Sequence, residues 1–273
     1  MSALLILMKG ILQNMKENTE KQTKYKQKNF LKVIYMLFVL AFIGSIGYII
    51  YYVIDINKNT GTEILNNIEV NKDEIIEYKT ERMLQLEELQ KENNEIIGWL
   101  EIEDTNINYP VLQTDNNSYY LTHTYKKQYS STGSLFLDKD FDLVNGSSNY
   151  LIYGHRSKKG IMFEDLMKYA KKDFYQNHTK IKFTTNQEES TYEVLSVFYS
   201  RVYYKNEKNV FRYYYFVNAQ NEQEYNTFVN SAKKASIYDT GVTAKFGDQL
   251  MTLSTCEYSQ KDGRFVIVLK KQT

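Results

Sequence analysis

The most continuous apolar stretch of the chain lies near its N-terminus, where Val33 to Ile54 contains no charged residue. As a helix rising ~1.5 Å per residue, this stretch would extend about 33 Å, enough to cross a hydrocarbon core of about 30 Å. Tyr51 and Tyr52, near its C-terminal end, suit the aromatic belt at a membrane interface. The pattern therefore predicts one transmembrane helix at residues 33–54.

Charged residues around this predicted span indicate its orientation. Lysine recurs between residues 16 and 32, whereas the nearest charged residues after the span are Asp55, Lys58 and Glu63. Because positively charged flanks tend to stay in the cytoplasm, we expect residues 1–32 to be a cytoplasmic segment. The sequence thus predicts a single-pass protein of the cell membrane whose C-terminal part lies outside the cell.

A polar and then charged region connects the predicted span to the rest of the chain. Residues 55–70 are polar and resemble a juxtamembrane linker. Asn71 to Asn94 contains neither glycine nor proline and places apolar side chains at Met83, Leu86 and Leu89. This spacing favours one or two helices that lie on the following domain rather than a sustained coiled coil. We therefore treat residues 55–94 as a linker with N-terminal helices.

Short runs rich in β-branched and aromatic residues dominate the chain from residue 95 to 273. The runs are Ile97–Ile102, Ile107–Val111, Gly133–Leu137, Tyr150–Tyr153, Lys180–Phe183, Tyr192–Phe198, Met251–Cys256 and Phe265–Leu269. About eight strands at short, irregular spacing predict an all-β closed barrel. Two helical insertions are expected to interrupt it, at Gly160 to Asp173 and at Glu222 to Ala235.

Composition narrows the possible functions. The 273 residues include 34 basic and 33 acidic side chains, for a net charge of +1, so the overall charge does not indicate nucleic-acid binding. The single cysteine excludes an internal disulfide. The three histidines are scattered and do not form metal-ligand spacings with it. We therefore expect neither a metal nor another cofactor.

The single cysteine, Cys256, closes one predicted strand, and Arg264 opens the next. A free cysteine is most often a small buried hydrophobe, so its position alone does not identify a nucleophile. Acyl transfer by a cysteine also needs an acid–base group and donors for the oxyanion. His155 follows a predicted strand and precedes a predicted helix, where a glycine allows an abrupt turn. His123 is expected to be structural, and His178 lies in a polar turn after a predicted helix.

Several motifs, in order, resemble those of the sortases, which are membrane-anchored cysteine transpeptidases of Gram-positive bacteria. Thr252–Cys256 followed by Arg264 resembles their TLxTC…R signature, and Tyr153-Gly154-His155 resembles their catalytic-histidine motif. Further matches are Ile97-Gly98-Trp99, Tyr109-Pro110-Val111, Asp115-Asn116, Tyr119-Tyr120-Leu121 and Gly133 to Asp138. The resemblance covers roughly residues 95–270 and implies an eight-stranded sortase barrel.

Within the family, the chain is most similar to class B, which has helices before the barrel and a long insertion before the cysteine strand. A pilin-polymerising sortase and an inactive, membrane-tethered binding module remain alternatives. A papain-like peptidase is disfavoured, because its cysteine typically begins a helix and precedes its histidine.

The resemblance also implies roles for individual residues. Cys256 would attack the carbonyl after the threonine of a C-terminal sorting signal in a secreted protein, forming an acyl-enzyme. His155 would exchange protons with the departing and incoming amines, the latter belonging to peptidoglycan or its precursor. Arg264 and the backbone N–H of Glu257 would bind the oxyanion. Ser254 would either contact the substrate or pack within its strand.

Overall fold

The computed structural model describes residues 79–272 together with Ser45, Ile46 and Tyr48. Those three residues are helical; the rest of the predicted span at 33–54, the segment 1–32 and most of the linker lie outside the described residues. Among the residues that are described, no helix has both the length and the apolar character needed to cross a membrane. The predicted orientation and membrane span therefore stay predictions.

Ten strands follow one another in the described part of the chain. They are β1 (Ile96–Glu101), β2 (Asn108–Leu112), β3 (Leu135–Leu137), β4 (Asn149–Tyr153), β5 (Arg156–Ser157), β6 (Ile161–Met162), β7 (Lys180–Thr184), β8 (Glu189–Arg201), β9 (Leu250–Glu257) and β10 (Gly263–Lys271). Eight of them close a barrel in the order β1-β2-β3-β4-β9-β10-β8-β7. The eight-stranded barrel expected from the sequence is confirmed.

Most neighbouring strands of the barrel are antiparallel, but β2–β3 and β4–β9 are parallel pairs. The β4–β9 pair brings together two strands about 100 residues apart in sequence. It thereby places the segment that contains His155 beside the segment that contains Cys256. Apolar side chains from all around the barrel fill its interior, and Leu151, Leu253 and Ile267 are fully buried. This packed core fixes the ends of β4, β9 and β10 relative to one another.

Within residues 79–272, three α-helices accompany the barrel: α1 (Glu81–Glu92), α2 (Lys172–Asn177) and α3 (Glu222–Ala235). In α3, Tyr225, Phe228, Val229 and Ala232 repeat at helical spacing and are buried. The helix packs on β8, where the Ser196 hydroxyl donates to the carbonyl of Ala232 at 2.6 Å. The predicted helix at Glu222 to Ala235 is confirmed, with the same bounds.

Helix α1 occupies part of the region predicted to be helical before the barrel. Thr80 caps it, since its hydroxyl accepts a hydrogen bond from the N–H of Met83 at 3.3 Å. Leu86 and Leu89 join a second apolar cluster that contains Trp99 and Tyr120. The helix therefore lies on the barrel and supports the segment that follows β2.

The prediction of a helix at Gly160 to Asp173 is wrong in its first part. Ile161–Met162 form strand β6, which pairs with β5, and Glu164–Ala170 form a 3-10 helix before α2 begins. The backbone of Met162 has a φ of +55°, a left-handed conformation that ends regular structure at this point. Two-residue strands are too short to show a periodicity, which is why the sequence did not predict this hairpin.

Candidate active site

Cys256 and Arg264 lie directly opposite each other on the antiparallel strands β9 and β10. Residues in this relationship project from the same face of a sheet, with Cβ atoms about 4.5–5.5 Å apart. Cys256 is a free thiol and is partly exposed, as is Arg264. The two side chains proposed as nucleophile and oxyanion partner are therefore neighbours.

His155 approaches Cys256 from the other side of β9. Strand β4 runs parallel to β9, with Tyr153 aligned to Ser254, so the same register continued by two residues brings His155 level with Cys256. Two hydrogen bonds extend this alignment beyond β4. The N–H of Gly154 donates to the carbonyl of Ser254 at 3.2 Å, and the Thr255 hydroxyl donates to the carbonyl of Gly154 at 2.8 Å. The cysteine thus lies between the histidine and the arginine.

Gly154 is needed at this position because of close packing. A Cβ there would lie 2.4 Å from the side chain of Leu135 and 2.6 Å from the ring of Phe163. Contacts below 3.0 Å are essentially never made by a real Cβ atom. The absence of a side chain at Gly154 therefore lets the chain before His155 pack tightly against Leu135 and Phe163.

One nitrogen of the His155 ring, Nε2, has a hydrogen-bond partner in the backbone. Nε2 lies 2.8 Å from the carbonyl oxygen of Leu121, at the end of the short 3-10 helix Tyr119–Leu121. A carbonyl can only accept a hydrogen bond, so this contact assigns the proton of the neutral ring to Nε2. Nδ1 is then the nitrogen that can exchange a proton with a reacting group.

Hydrogen bonds to the backbone hold the guanidinium of Arg264. Nη1 donates to the carbonyls of Gly263 at 2.8 Å and Asp262 at 3.3 Å. Within residues 79–272, no acceptor is assigned to Nε or Nη2. Because the guanidinium carries five N–H donors in a planar array, these remaining donors can serve an anion beside Cys256.

Cys256, His155 and Arg264 line one cavity of about 290 Å³. Its wall is formed by Asn117, Leu121, Phe136, Tyr153, Gly154, His155, Val202, Tyr213, Tyr214, Ser254, Thr255, Cys256 and Arg264. Most of this wall is apolar or aromatic, and a few polar groups point into it. An apolar cavity with a few convergent polar groups is typical of a binding or active site.

Ser254, two residues before Cys256, lines the cavity but is only 2% exposed. Its hydroxyl lies 2.7 Å from the phenol oxygen of Tyr213, which is also buried. Burial raises the pKa of Tyr213 well above its ordinary value, so the phenol stays neutral and able to donate. The structure therefore shows a buried partner for Ser254, and its contact with substrate stays a prediction.

Sequence reasoning missed much of the cavity wall. Tyr213, Tyr214 and Val202 come from the long connection between β8 and β9, where the sequence carries no distinguishing pattern. Tyr153 was part of a matched motif but was not assigned to the wall. Its phenol donates to the buried carboxylate of Asp138 at 3.0 Å, and burial, followed by the effect of Asp138, raises its pKa above the ordinary value.

The other two histidines are engaged elsewhere. His123 stacks on the ring of Tyr119 and bonds the carbonyl of that residue through Nδ1 at 2.9 Å. His178 stacks on Phe174, and its Nε2 lies 3.2 Å from a carboxylate oxygen of Asp104. Neither lines the cavity that holds Cys256. In the described part of the chain, no group of three or more His, Cys, Asp or Glu side chains is arranged to hold a metal.

Comparisons with known proteins identify the family of this chain. The family model for the sortase domain matches residues 100–272. Sortase B of Staphylococcus aureus is 31% identical over 251 residues, covering 90% of this chain and 98% of the relative. Sortase B of Listeria monocytogenes is 36% identical over 188 residues, covering 67% of this chain and 72% of the relative.

A solved structure of a Staphylococcus aureus sortase B–substrate complex superposes with a TM-score of 0.62 at 32% identity. The superposition covers 69% of this chain and 85% of that one. The family assignment rests on the match to the sortase domain model, on two relatives above 30% identity and on the shared fold. The chain belongs to the sortase family and resembles its class B members.

Proposed function

We propose that this chain is a cysteine transpeptidase that cleaves the C-terminal sorting signal of secreted proteins after a threonine and transfers the new acyl group to a cell-wall amine. The observation that carries the proposal is the placement of Cys256 between His155 and Arg264 in one cavity. This arrangement supplies a nucleophile, an acid–base group and an oxyanion partner on rigid strand ends.

In the first half-reaction, the thiolate of Cys256 attacks the carbonyl carbon of the threonine. A carbon–sulfur bond forms, and the carbonyl electron pair moves to oxygen to give a tetrahedral oxyanion. The pair returns as the carbon–nitrogen bond breaks, and the protonated His155 gives a proton to the departing amine from Nδ1. The products are a thioester on Cys256 and a free C-terminal peptide.

In the second half-reaction, an amine of peptidoglycan or of its precursor attacks the thioester. Neutral His155 accepts the proton that this amine loses, and the carbon–sulfur bond breaks to regenerate the thiolate. The result is a new amide bond and an enzyme in its starting protonation state. The same nitrogen of His155 therefore acts as acid in the first half and base in the second.

Both tetrahedral intermediates need donors for their oxyanion. Arg264 is aligned with Cys256, and its Nη1 is held by backbone carbonyls, so its orientation is set before substrate binds. The backbone N–H of Glu257, which directly follows the nucleophile, is the second donor in this proposal. The carboxylate of Glu257 accepts hydrogen bonds from the N–H and hydroxyl of Ser259, which hold the turn after β9.

The substrate assignment rests on the cavity and on the relatives. The wall is largely apolar and aromatic, as expected for a peptide binding surface, and a solved relative is a complex with its substrate. The location assignment rests on the sequence. The charge-free stretch at 33–54 and the lysines before it favour a single-pass protein with residues 1–32 in the cytoplasm and the catalytic domain outside.

The full chain in detergent, incubated with a library of sorting-signal peptides and candidate amines, tests this function. We expect cleavage after threonine, a thioester adduct on the protein and an amide-linked product, all read by mass spectrometry. Cys256→Ala is the control and should give none of these. The absence of any thioester across the library, from a folded protein with a reactive thiol, would refute the proposal.

A further inference from the structure

The contact between His155 and Leu121 depends on a short segment that is distant in sequence from both Cys256 and Arg264. The 3-10 helix Tyr119–Leu121 ends with the Leu121 carbonyl 2.8 Å from His155 Nε2. The last carbonyls of a helix have no partner within it, so this oxygen is free to accept from the ring. Any contact that holds the Leu121 carbonyl in place therefore also orients the ring of His155.

Gly133 packs directly against that carbonyl. It has a φ of +56°, and a Cβ there would lie 2.6 Å from the oxygen and 2.7 Å from the carbon of the Leu121 carbonyl. The same Cβ would lie 2.2 Å from the carbonyl oxygen of Tyr120. All three atoms belong to the backbone, so no side-chain rotation can make room for a methyl group.

Hydrogen bonds fix Gly133 relative to this carbonyl. The N–H of Ser134 donates to the carbonyl of Tyr120 at 2.9 Å, and the Ser134 hydroxyl donates to the carbonyl of His123 at 2.9 Å. The N–H of Gly133 donates to the carbonyl of Ser130 at 3.1 Å. These bonds hold Gly133 and Ser134 against the backbone of residues 120–123. An added methyl group at Gly133 would therefore displace the Leu121 carbonyl.

We propose that Gly133 is a positioning residue for His155: its missing side chain lets the Leu121 carbonyl stay within hydrogen-bond distance of Nε2. This contact keeps the neutral ring protonated on Nε2 and leaves Nδ1 for proton exchange. The inference rests on the proposed role of His155 as the acid–base group. Gly133 does not line the cavity that holds Cys256 and acts through the backbone of Tyr120 and Leu121.

Gly133→Ala is the direct test, with Gly241→Ala as the matched control. Gly241 has a similar φ of +73°, but among the described residues no heavy atom comes within 4 Å of its Cβ position. Both variants carry the strain of alanine at positive φ, and only one displaces the carbonyl. We expect Gly133→Ala to lower kcat by up to ~10²-fold, the scale of a misplaced catalytic group, and Gly241→Ala to keep the kcat of the wild type.

The tautomer of His155 provides a readout that loss of stability alone would not change. In ¹⁵N-histidine-labelled full chain in detergent, we expect the neutral His155 ring to carry its proton on Nε2. In Gly133→Ala, we expect a mixture of the two tautomers. A Gly133→Ala enzyme with the kcat and tautomer of the wild type would overturn the proposal. If Gly133→Ala does not fold, the ¹⁵N spectrum of the wild type decides. A proton on Nδ1 of His155 would refute the contact with the Leu121 carbonyl, and a proton on Nε2 would support it.

This outcome is separable from the fate of the proposed function. If the wild type forms no thioester with any peptide, the transpeptidase assignment fails, while the tautomer measurement still reports on Gly133 and Leu121. If the wild type is active and the tautomer of Gly133→Ala is unchanged, only the positioning role fails.

Discussion

Thr255 and Gly154 connect the nucleophile strand to the histidine loop: the Thr255 hydroxyl donates to the carbonyl of Gly154 at 2.8 Å across 101 residues of sequence. Each residue directly precedes a proposed catalytic residue, Cys256 in one case and His155 in the other. The bond is buried, so water does not compete with it. It therefore controls the spacing between the proposed nucleophile, Cys256, and the proposed acid–base group, His155.

Thr255→Val should keep the shape of the side chain and lose this bond. We expect a stability loss of about 1–3 kcal/mol from the unpaired carbonyl, and a fall in kcat because His155 is less well placed. Thr252→Val is the control, because the Thr252 hydroxyl makes a buried bond of 3.0 Å to Asn149 between the same two strands, further from Cys256. Equal kcat values in the two variants would show that the Thr255 bond is only structural.

Arg264→Lys tests the oxyanion role. Lysine keeps the positive charge but loses the planar donor array, so we expect a loss on the order of 10²–10³ in kcat. Arg201→Lys is the control, because Arg201 lies on the next strand opposite Gly263 and pairs with Glu207 rather than lining the cavity. A nearly active Arg264→Lys enzyme would show that charge alone suffices and would remove the oxyanion assignment.

Tyr213 and Ser254 should be energetically coupled. Tyr213→Phe and Ser254→Ala each leave a buried hydroxyl without its partner, at a cost of about 1–3 kcal/mol in unfolding free energy. The double variant removes both groups, so its cost should be smaller than the sum of the two single costs. Urea unfolding of all four proteins measures the difference. An unchanged stability with a raised KM in Ser254→Ala would instead assign this hydroxyl to substrate binding.

Buried tyrosines should make the domain sensitive to alkali. Burial is the main cause that raises the pKa of Tyr192 above its ordinary value of 10.0. A group whose pKa is raised on folding contributes its full stability below the unfolded pKa and loses it as pH rises through the folded one. We therefore expect stability to fall above about pH 10, and less steeply in Tyr192→Phe. Tyr129→Phe, which removes a phenol that is 75% exposed, should leave the slope unchanged.

The lysine asymmetry around residues 33–54 predicts the topology. Protease added to cells stripped of their wall should digest the chain beyond about residue 60 and spare residues 1–32, because the positive flank stays inside. Tags at each end, read by immunoblot, report which part survives. Protection of the C-terminal domain in intact cells, with digestion after lysis, would reverse the predicted orientation.

The sequence predicted the strands well because strand formation leaves a local pattern. Each of the eight runs of β-branched and aromatic residues corresponds to one barrel strand, and Glu222–Ala235 shows its helical spacing directly. Cys256, His155 and Arg264 were predicted as site residues because they lie in short motifs at strand ends. The hairpin of β5 and β6 was missed because two-residue strands show no periodicity.

Only the tertiary structure decided how the site is completed. Tyr213 meets Ser254 across 41 residues of sequence, and the Leu121 carbonyl meets His155 across 34. The need for glycine at position 133 becomes apparent only when the backbone of Tyr120 and Leu121 lies against it. By itself the sequence determined most of the strands and helices and predicted the candidate catalytic residues, because local patterns and motifs encode them. Barrel closure determined their partners, because contacts between distant segments arise from packing and leave no periodic pattern in either segment.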